Sequence, residues 1–445
     1  MFNVPIALRI RGPLDPAVLV DALGDVVRRH EALRTVFADV DGVPWQRILT
    51  PEQARVSVRR GAVACEDLPG LLAAAARHVF DLAADVPIAA WLYEIGTQEH
   101  VFLVVMHHIA VDDLSMRPLF DDLSQAYIAR TEGRDPRLAP PALQYADYAV
   151  WQRDLFGAES DPRSLAGRQI SYWRSALAGI PDEICLPSAK PRPPVPSYRG
   201  DRIPVAVGAE VHAGLAMLSR RTGASMFMIV HTALVATLAR LGAGTDIVVG
   251  APVAGRTDAA LDEMVGFFVN TAVLRTDCSG QPDLRMLLDR VREADLEAFG
   301  HQDVPFDHVV EALNPSRALA RNPLFQVMLT VLTEDAALLR VPGLSCAEEH
   351  IDLWFSRYDM WFGLVESKSP AGDRAGITGD LRYSTDLFDA SAMRDLVQVF
   401  VHVLRELAMD PSRPALPVAA PRTPAAVRRR TLPHGPAASC GGGAR

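Results

Sequence analysis

Apolar residues near the amino terminus recur first with one period and then with another. Between residues 4 and 10 they occupy every second position, which is the pattern of a half-buried strand. Asp15 then offers a carboxylate that can cap a helix, and Pro16 suits the first helical position. From residue 19 to 27 the apolar residues recur at helical spacing. The chain is therefore predicted to open with a strand followed by a helix.

A buried strand is predicted where apolar residues run without interruption. Residues 101–106 are all apolar, and the run ends at His107 and His108. Residues 114–128 return to helical spacing. The paired histidines are thus expected at the end of a buried strand, shortly before a helix.

The second half of the chain again mixes helices and strands. Gly242 is expected to end one of the helices, because glycine readily adopts the backbone conformation that follows a helix. The predicted helices cover residues 225–241, 284–299, 306–313 and 390–407, and the predicted strands cover 246–249 and 267–274. These alternations indicate a protein of mixed α/β type.

Proline content divides the chain. Its 445 residues are too many for one ordinary core. Residues 187–200 are rich in proline, which disfavours regular structure, so they are predicted to link two halves. The halves are residues 1–186 and 201–418. Residues 419–445, which include an arginine run and a glycine-rich end, are expected to form a disordered tail.

Composition narrows the class of protein. A net charge of −9 argues against a general nucleic-acid binder, and 49% hydrophobic residues fit a globular protein. The sequence shows no signal peptide and no apolar stretch of the ~18–20 residues needed to cross a bilayer. We therefore expect a cytoplasmic protein that binds neither nucleic acid nor membrane. Its scattered cysteines are expected to be reduced thiols: Cys65, Cys185, Cys278, Cys346 and Cys440.

The paired histidines are the strongest candidates for chemistry. Adjacent residues at a strand end point to opposite faces, so one histidine can face a cavity while the other packs inward. Asp112 follows His108 across a short turn and could hold the loop. Both histidines could instead be satisfied core residues. A metal site is disfavoured because no further ligand cluster follows, and a serine hydrolase because no Gly-x-Ser-x-Gly motif is present.

Six short motifs follow one another along the chain: residues 29–37 (RHEALRTVF), 106–113 (MHHIAVDD), 145–151 (YADYAVW), 265–271 (VGFFVNT), 301–306 (HQDVPF) and 321–324 (RNPL). In this order they resemble the motifs of the condensation domains of nonribosomal peptide synthetases, over residues 3–418. The histidine motif and its neighbours resemble the family's HHxxxDG core. One such motif would be weak evidence for the resemblance, whereas six in order over this length are strong evidence.

The resemblance implies an α+β sandwich fold of two chloramphenicol-acetyltransferase-like lobes, arranged as a V around a central tunnel. It also implies an acyltransferase that forms a peptide bond between a carrier-bound acyl thioester and a carrier-bound aminoacyl group, in the biosynthesis of secondary metabolites such as antibiotics. Both substrates would ride on phosphopantetheine arms, so the chain itself would bind no cofactor and no metal. Its partners would be donor and acceptor peptidyl carrier proteins in trans and other synthetase modules.

The resemblance also distributes roles among the motif residues. His108 matches the histidine that faces the tunnel, where it would position the acceptor amine or take its proton. His107 would orient the site. Asp112 would be structural and pair with Arg256, which occupies the position of the family's arginine. The expected scaffold residues around the tunnel are Tyr145, Asp147, Trp151 and Asn270.

Asp113 departs from the family pattern, because it replaces the glycine that ends the core motif. Its carboxylate could lie near His108, which would raise the pKa of that imidazole and lower or narrow activity without abolishing it. It could instead face the start of the following helix, where an anion is favourable. The chain also lacks the family's segment before the first strand, and no adenylation or carrier domain follows the match. It is therefore expected to be free-standing and short at its amino terminus.

Three functions remain open at the level of sequence. The first is an active condensation enzyme that forms amides. The second is a catalytically weakened relative that serves as a docking platform, as in family members that recruit tailoring oxygenases. Asp113 and the short amino terminus favour this second function, whereas the intact His108 favours catalysis. The third is an ester-forming relative that accepts a free alcohol.

Overall fold

The structure, a computed structural model, describes residues 2–184, 190–315, 320–333, 339–369 and 374–416. Residues 187–189 of the proline-rich segment and the predicted tail at 419–445 lie outside the described residues, as do Cys185 and Cys440. The described cysteines, Cys65, Cys278 and Cys346, are free thiols.

The described residues alternate between strands and helices along the chain. The strands are β1 Asn3–Arg11, β2 Thr35–Val40, β3 Val43–Ile48, β4 Val58–Ala62, β5 Ile88–Gly96, β6 Glu99–His107, β7 Gly200–Val207, β8 Asp246–Val253, β9 Asn270–Asp277, β10 Val327–Thr333, β11 Ser345–Glu348, β12 Met360–Lys368 and β13 Arg374–Ser384. The helices are α1 Pro16–Arg29, α2 Leu68–Ala75, α3 Met116–Thr131, α4 Tyr145–Phe156, α5 Leu165–Ala176, α6 Ala209–Thr222, α7 Met226–Arg240, α8 Leu284–Phe299, α9 Phe306–Leu313 and α10 Ala390–Met409.

Local signals set most of the predicted boundaries. Asp15 caps α1 as expected, because its carboxylate accepts hydrogen bonds from the backbone N–H groups of Ala17 at 2.8 Å and Val18 at 3.2 Å. The apolar run at 101–106 forms the middle of β6. Helix α7 ends before Gly242, which has a φ of +95°. The predicted strand, helix and stop signals are confirmed at these positions.

The helical segment predicted at 114–128 is present: it begins as a 3₁₀ turn at Asp113–Ser115 and continues as α3 from Met116. One predicted boundary near the candidate site is wrong, because the strand expected from residue 267 begins at Asn270. The reason is that the backbone N–H of Phe268 donates to the Asp112 carboxylate at 3.0 Å instead of to a neighbouring strand.

Two sheets organise the fold. The first has the strand order β11-β1-β6-β5-β4, and the second has the order β7-β13-β12-β10-β8-β9, with β10 parallel to both β12 and β8. Helices α1 and α3 pack on one face of the first sheet. Helices α6, α7, α8 and α10 cover one face of the second sheet, and α5 and α9 cover part of its other face.

Each half of the chain contributes to the other half's core. Strand β11, from late in the sequence, pairs with β1 at the edge of the first sheet. Helix α5, from early in the sequence, packs against the second sheet through Ile170 and Trp173. Residues 190–199 of the proline-rich segment contain no helix or strand. The two sheets are therefore connected by the crossing of β11 and α5 as well as by the proline-rich segment.

Among the described residues, no single helix is long and apolar enough to cross a bilayer; the pair Ala209–Thr222 and Met226–Arg240 reaches that length and apolar character only when the two are taken together, across a bend of 108°.

Candidate active site

The two histidines lie where β6 leaves the first sheet. His107 is the last residue of β6 and pairs in register with Asn3 of β1. The backbone N–H of His108 donates to the carbonyl of Phe2 at 2.7 Å, which continues the strand pairing by one residue. The loop from His108 to Asp112 therefore starts from a rigid, buried strand.

The hydrogen bond of His108 determines its neutral tautomer. Its Nδ1 lies 2.7 Å from the carbonyl oxygen of Val111. A carbonyl oxygen can only accept, so Nδ1 must carry the proton in the neutral imidazole. Nε2, on the opposite side of the ring, then presents a lone pair. The ring is half-buried, so this nitrogen belongs to a side chain that solvent or substrate can reach.

His107 has the opposite tautomer and a different environment. Its Nδ1 accepts the backbone N–H of Ile109 at 3.1 Å, so Nε2 carries the proton in the neutral ring. The ring lies between the aromatic rings of Phe2 and Phe80, each with a centroid distance of 6.1 Å. Burial lowers the pKa of His107, which favours its neutral form. This histidine is thus half-buried, like His108, but its ring packs against aromatic side chains.

Asp112 is a buried hub for the loop. Its carboxylate accepts from the backbone N–H of Ser115 at 2.9 Å and from that of Phe268 at 3.0 Å. Arg256 Nη2 lies 2.9 Å from Asp112 Oδ1, and both side chains are at most 3% exposed. The ion pair that the resemblance suggested is present. It connects the loop from His108 to Asp112 with residues that precede β9.

Arg256 reaches further into the loop that precedes β9. It donates to the carbonyls of Leu261 and Met264, the latter at 2.7 Å. Its guanidinium carbon lies 4.1 Å from the centroid of the Phe268 ring. Hydrogen bonds and a cation–π contact therefore hold this loop against Asp112.

Asp113 occupies the first position of the 3₁₀ turn that Asp112 caps. It is exposed, and its φ is not positive, so the backbone at this position does not require glycine. The start of a helix favours a negative charge because its backbone N–H groups point outward there. Its backbone therefore lies at the start of a helical turn, which is the location that the second expectation requires.

Three of the predicted scaffold residues lie on α4. The Tyr145 hydroxyl donates to the carbonyl of Phe267 at 2.7 Å, and burial raises the pKa of that tyrosine. Asp147 caps α4 by accepting the backbone N–H of Gln144 at 2.9 Å. Trp151 lies on α4 and is 47% exposed. Tyr145 therefore supports the loop directly, whereas Asp147 shapes the helix.

Asn270 joins the start of β9 to the start of α9. Its amide nitrogen donates to the carbonyls of Gln302 at 2.8 Å and Val304 at 2.7 Å. Its amide oxygen accepts the backbone N–H of Phe306 at 2.9 Å. Every one of these contacts is to backbone, which is the arrangement of a structural amide.

Phe267 contacts the candidate catalytic ring and was missed by sequence reasoning. Its ring meets that of His108 edge to face, with centroids 5.2 Å apart and planes at 87°. The side chain is 37% exposed. At the neighbouring Gly266, a Cβ atom would lie 2.2 Å from the Tyr145 ring, so the backbone passes too close for a side chain. The motif that contains Phe267 was recognised, but nothing in its sequence indicated which residue faces His108.

Replacing Phe267 by alanine is expected to lower kcat for acyl transfer about two- to tenfold with little change in KM. An edge-to-face contact contributes roughly 0.5–1.5 kcal/mol, and here it restricts the His108 ring. Phe267→Leu, which keeps the bulk without the ring, serves as the matched control for lost volume. Ring signals of His108 in NMR spectra report the same effect without turnover; unchanged signals and unchanged kcat in Phe267→Ala would contradict this role.

Within the described ranges, no group of three or more His, Cys, Asp or Glu side chains is placed to hold a metal ion. The described site presents the His108 imidazole, whose Nε2 has no hydrogen-bond partner among the described residues, on a loop held by backbone and ion-pair contacts.

Comparison with known proteins agrees with the family resemblance and the fold. The model of the condensation-domain family matches residues 1–420. The chain is 48% identical over 93% of its length to a protein of Salinispora arenicola named as the nonribosomal peptide synthetase CymA. It is 43% identical over 92% of its length to the dimodular nonribosomal peptide synthase of Bacillus subtilis. The chain spans 5% and 17%, respectively, of the length of these two relatives.

Solved structures show the same architecture. The X-domain from teicoplanin biosynthesis is 39% identical, with a TM-score of 0.87 over 93% of this chain and 92% of that one. The same domain in complex with OxyB matches with a TM-score of 0.86, over 93% of this chain and 90% of that one. These matches confirm the predicted chloramphenicol-acetyltransferase-like fold class. By its motifs, its fold and the match of the family model, the chain belongs to the condensation-domain family of nonribosomal peptide synthesis.

Proposed function

We propose that this chain joins an acyl or peptidyl thioester on one carrier protein to the amine of an aminoacyl group on another, and so forms an amide bond. The observation that supports this best is the His108 ring, whose Nδ1–H is held by Val111 and whose Nε2 is free. We place the reaction between the two sheets, in lobes that residues 1–186 and 201–418 form apart from α5 and β11, each of which packs with the other half, and that residues 187–200 link.

In the proposed reaction, the amine nitrogen attacks the thioester carbonyl, the C–N bond forms, and the C–S bond breaks to release a thiol. The proton lost by the amine passes to the leaving sulfur. An α-amine has a pKa of about 8, so a useful fraction is already neutral near pH 7 and a strong base is not required. His108 Nε2 is suited either to hold the amine or to receive its proton as positive charge develops on nitrogen.

The carriers, not this chain, supply the phosphopantetheine arms in this proposal. Tethering both substrates raises their local concentration and fixes their approach, an effect that can match or exceed that of the imidazole. His107 and the Asp112–Arg256 pair would then keep the loop that bears His108 in place. Tyr145, Asp147, Trp151 and Asn270 would form the surrounding scaffold.

The direct test uses two purified carrier proteins, one loaded with an acyl group and the other with an amino acid. Intact-protein mass spectrometry follows the acyl mass as it leaves the donor carrier and appears on the acceptor carrier. Transfer that depends on the chain supports the proposal. Failure across a panel of acyl and aminoacyl groups, with the protein folded, would contradict it.

A docking platform is the second candidate, because the X-domain relatives include one solved in complex with OxyB at 39% identity. This function predicts that the chain binds a partner enzyme without transferring acyl groups. OxyB itself is a suitable probe: saturable binding in a calorimetric titration, together with no transfer between carriers, would favour the platform over the enzyme.

The variant Asp113→Gly tests whether Asp113, which departs from the family pattern, stabilises the helical turn or acts on His108. Because Asp113 is exposed at the start of a helical turn, we expect the variant to lower the free energy of unfolding by about 0.3–1 kcal/mol. We expect transfer to change less than twofold. Denaturant titration and the carrier assay measure the two effects. A clear rise in rate with a shifted pH profile would instead mean that the carboxylate acts on His108.

A further inference from the structure

One face of the second sheet is only partly covered by helices. Along β7, β13, β12 and β10, alternate residues such as Val205, Leu381, Phe362 and Leu329 are buried under helices. The intervening residues point to the opposite face, where α5 and α9 cover only part of the sheet. Polar and charged side chains lie on the rest of that face.

Two adjacent rows of side chains define this region. Trp361 on β12 pairs in register with Arg382 on β13, which in turn pairs with Arg202 on β7. In the next row on the same face, Gly363 lies between Thr330 of β10 and Asp380 of β13.

Trp361 forms a fixed platform. Its indole N–H donates to the Thr330 hydroxyl at 3.0 Å, which sets the orientation of the ring. A Cβ at Gly363 would be 3.9 Å from the indole, so the glycine leaves this side of the ring open. The guanidinium carbon of Arg382 lies 4.9 Å from the ring centroid. The indole therefore contacts the guanidinium of an otherwise exposed arginine.

Arg382 lacks the carboxylate partners that the neighbouring Arg202 has. Within the described ranges, no carboxylate lies within ion-pair distance of Arg382, whereas Arg202 lies 3.5 Å from both Asp352 and Asp380. Two arginines directly opposite on neighbouring strands repel each other. This arrangement leaves a positive charge with unused hydrogen-bond donors.

The electrostatics of Arg382 agree with that geometry. Burial lowers the pKa of Arg382, and Arg202 adds to this effect while Asp380 opposes it, although the residue is exposed. In contrast, hydrogen bonds to carboxylates raise the pKa of Arg130 and Arg275. A group that loses solvation without gaining a counter-ion is stabilised when an anion binds to it.

We propose that Arg382, together with Trp361, is a binding site for a carboxylate carried on an apolar group. A planar guanidinium recognises a planar carboxylate through two parallel hydrogen bonds. The indole beside it offers a flat apolar surface for the rest of the ligand. Asp380 is held by Arg202, so it does not compete directly for Arg382.

Benzoate is the probe for the test, which measures binding and does not depend on acyl transfer. Titration is followed by calorimetry and by the indole N–H signal of Trp361 in NMR spectra. We expect saturable binding by the parent protein, at least tenfold weaker binding by Arg382→Gln, and intermediate binding by Arg382→Lys, which keeps the charge but loses the paired donors. Benzamide, the neutral analogue of similar shape, is expected not to bind.

A matched control lies in the first sheet, where Arg59 stacks on Trp91 at 5.0 Å from its centroid. Arg59→Gln is expected to leave benzoate binding unchanged. Equal binding by Arg382→Gln and the parent, or no saturable binding by the parent, would overturn the proposal. If Arg382→Gln does not fold, the comparison of Arg382→Lys with the parent decides.

The carboxylate could belong to a free molecule or to the end of a tethered acyl chain. Glutaryl and butyryl thioesters of N-acetylcysteamine separate these sources, because they differ in the terminal carboxylate. Tighter binding of the glutaryl thioester than of free glutarate indicates a tethered chain, and the reverse order indicates a free molecule. If the glutaryl thioester binds no more tightly than the butyryl thioester, and free glutarate does not bind, the proposed carboxylate site is contradicted.

Discussion

His108→Ala is expected to reduce acyl transfer between carrier proteins by about 10²–10⁴-fold. The physical reason is the loss of Nε2, which the bond from Nδ1 to the Val111 carbonyl leaves free for the amine. Proximity of the two tethered substrates would remain, so residual transfer above background is expected. Single-turnover mass spectrometry of both loaded carriers measures the rate.

His402→Ala is the matched control, because His402 is a histidine 60% exposed on α10, away from the candidate site. It should transfer at the parent rate. Since the His108 ring is only half-buried, the His108→Ala protein should fold, which a denaturant titration verifies. Transfer by His108→Ala within twofold of the parent would remove the catalytic role and leave the docking function as the better account.

Asp112→Ala should destabilise the protein by about 3–5 kcal/mol, the usual result of leaving one member of a buried ion pair alone. Arg256 would retain a buried charge, and the backbone N–H groups of Ser115 and Phe268 would lose their acceptor. Reduced yield of folded protein and a lower denaturation midpoint are the measurements. A fully stable Asp112→Ala protein without activity would instead make Asp112 a participant in the chemistry.

A double-mutant cycle separates the ion pair from the other contacts. Asp112→Ala combined with Arg256→Ala is expected to be less destabilising than the sum of the two single changes, because no charge is then left unpaired. The control pair is Arg117–Glu263, 3.2 Å apart, which joins α3 to the same loop before β9 but is 64% and 69% exposed. Such an exposed pair is expected to contribute about 0–1 kcal/mol. Strictly additive effects at Asp112 and Arg256 would contradict their coupling.

The features that followed from the sequence are those governed by neighbours along the chain. The Asp15 cap, the buried run in β6 and the stop at Gly242 each depend on a few adjacent residues. The same local signals failed at residue 267, where an apolar run predicted a strand. There the backbone bonds to Asp112, which is more than 150 residues away in sequence, and no local period encodes such a contact.

The candidate site shows the same division. Its histidines, aspartate and arginine could be named from sequence because their motifs resemble a family. The edge-to-face contact of Phe267 with His108 could not, since it requires the loop before β9 to fold onto the end of β6. Likewise, β11 joins the first sheet and α5 the second, so the chain crosses between cores that a linear division would keep apart.

By itself, the sequence determined the mixed α/β class, the strand that carries His107 and His108, and the membership of a condensation family. Only the tertiary structure decided which ring nitrogen of His108 contacts the Val111 carbonyl, that Asp113 begins an exposed 3₁₀ turn, and that Arg382 stacks on Trp361. The reason is physical: periodicity and capping are local, short-range effects, whereas tautomers, ion pairs and exposed sheet faces depend on atoms that only folding brings within a few ångströms.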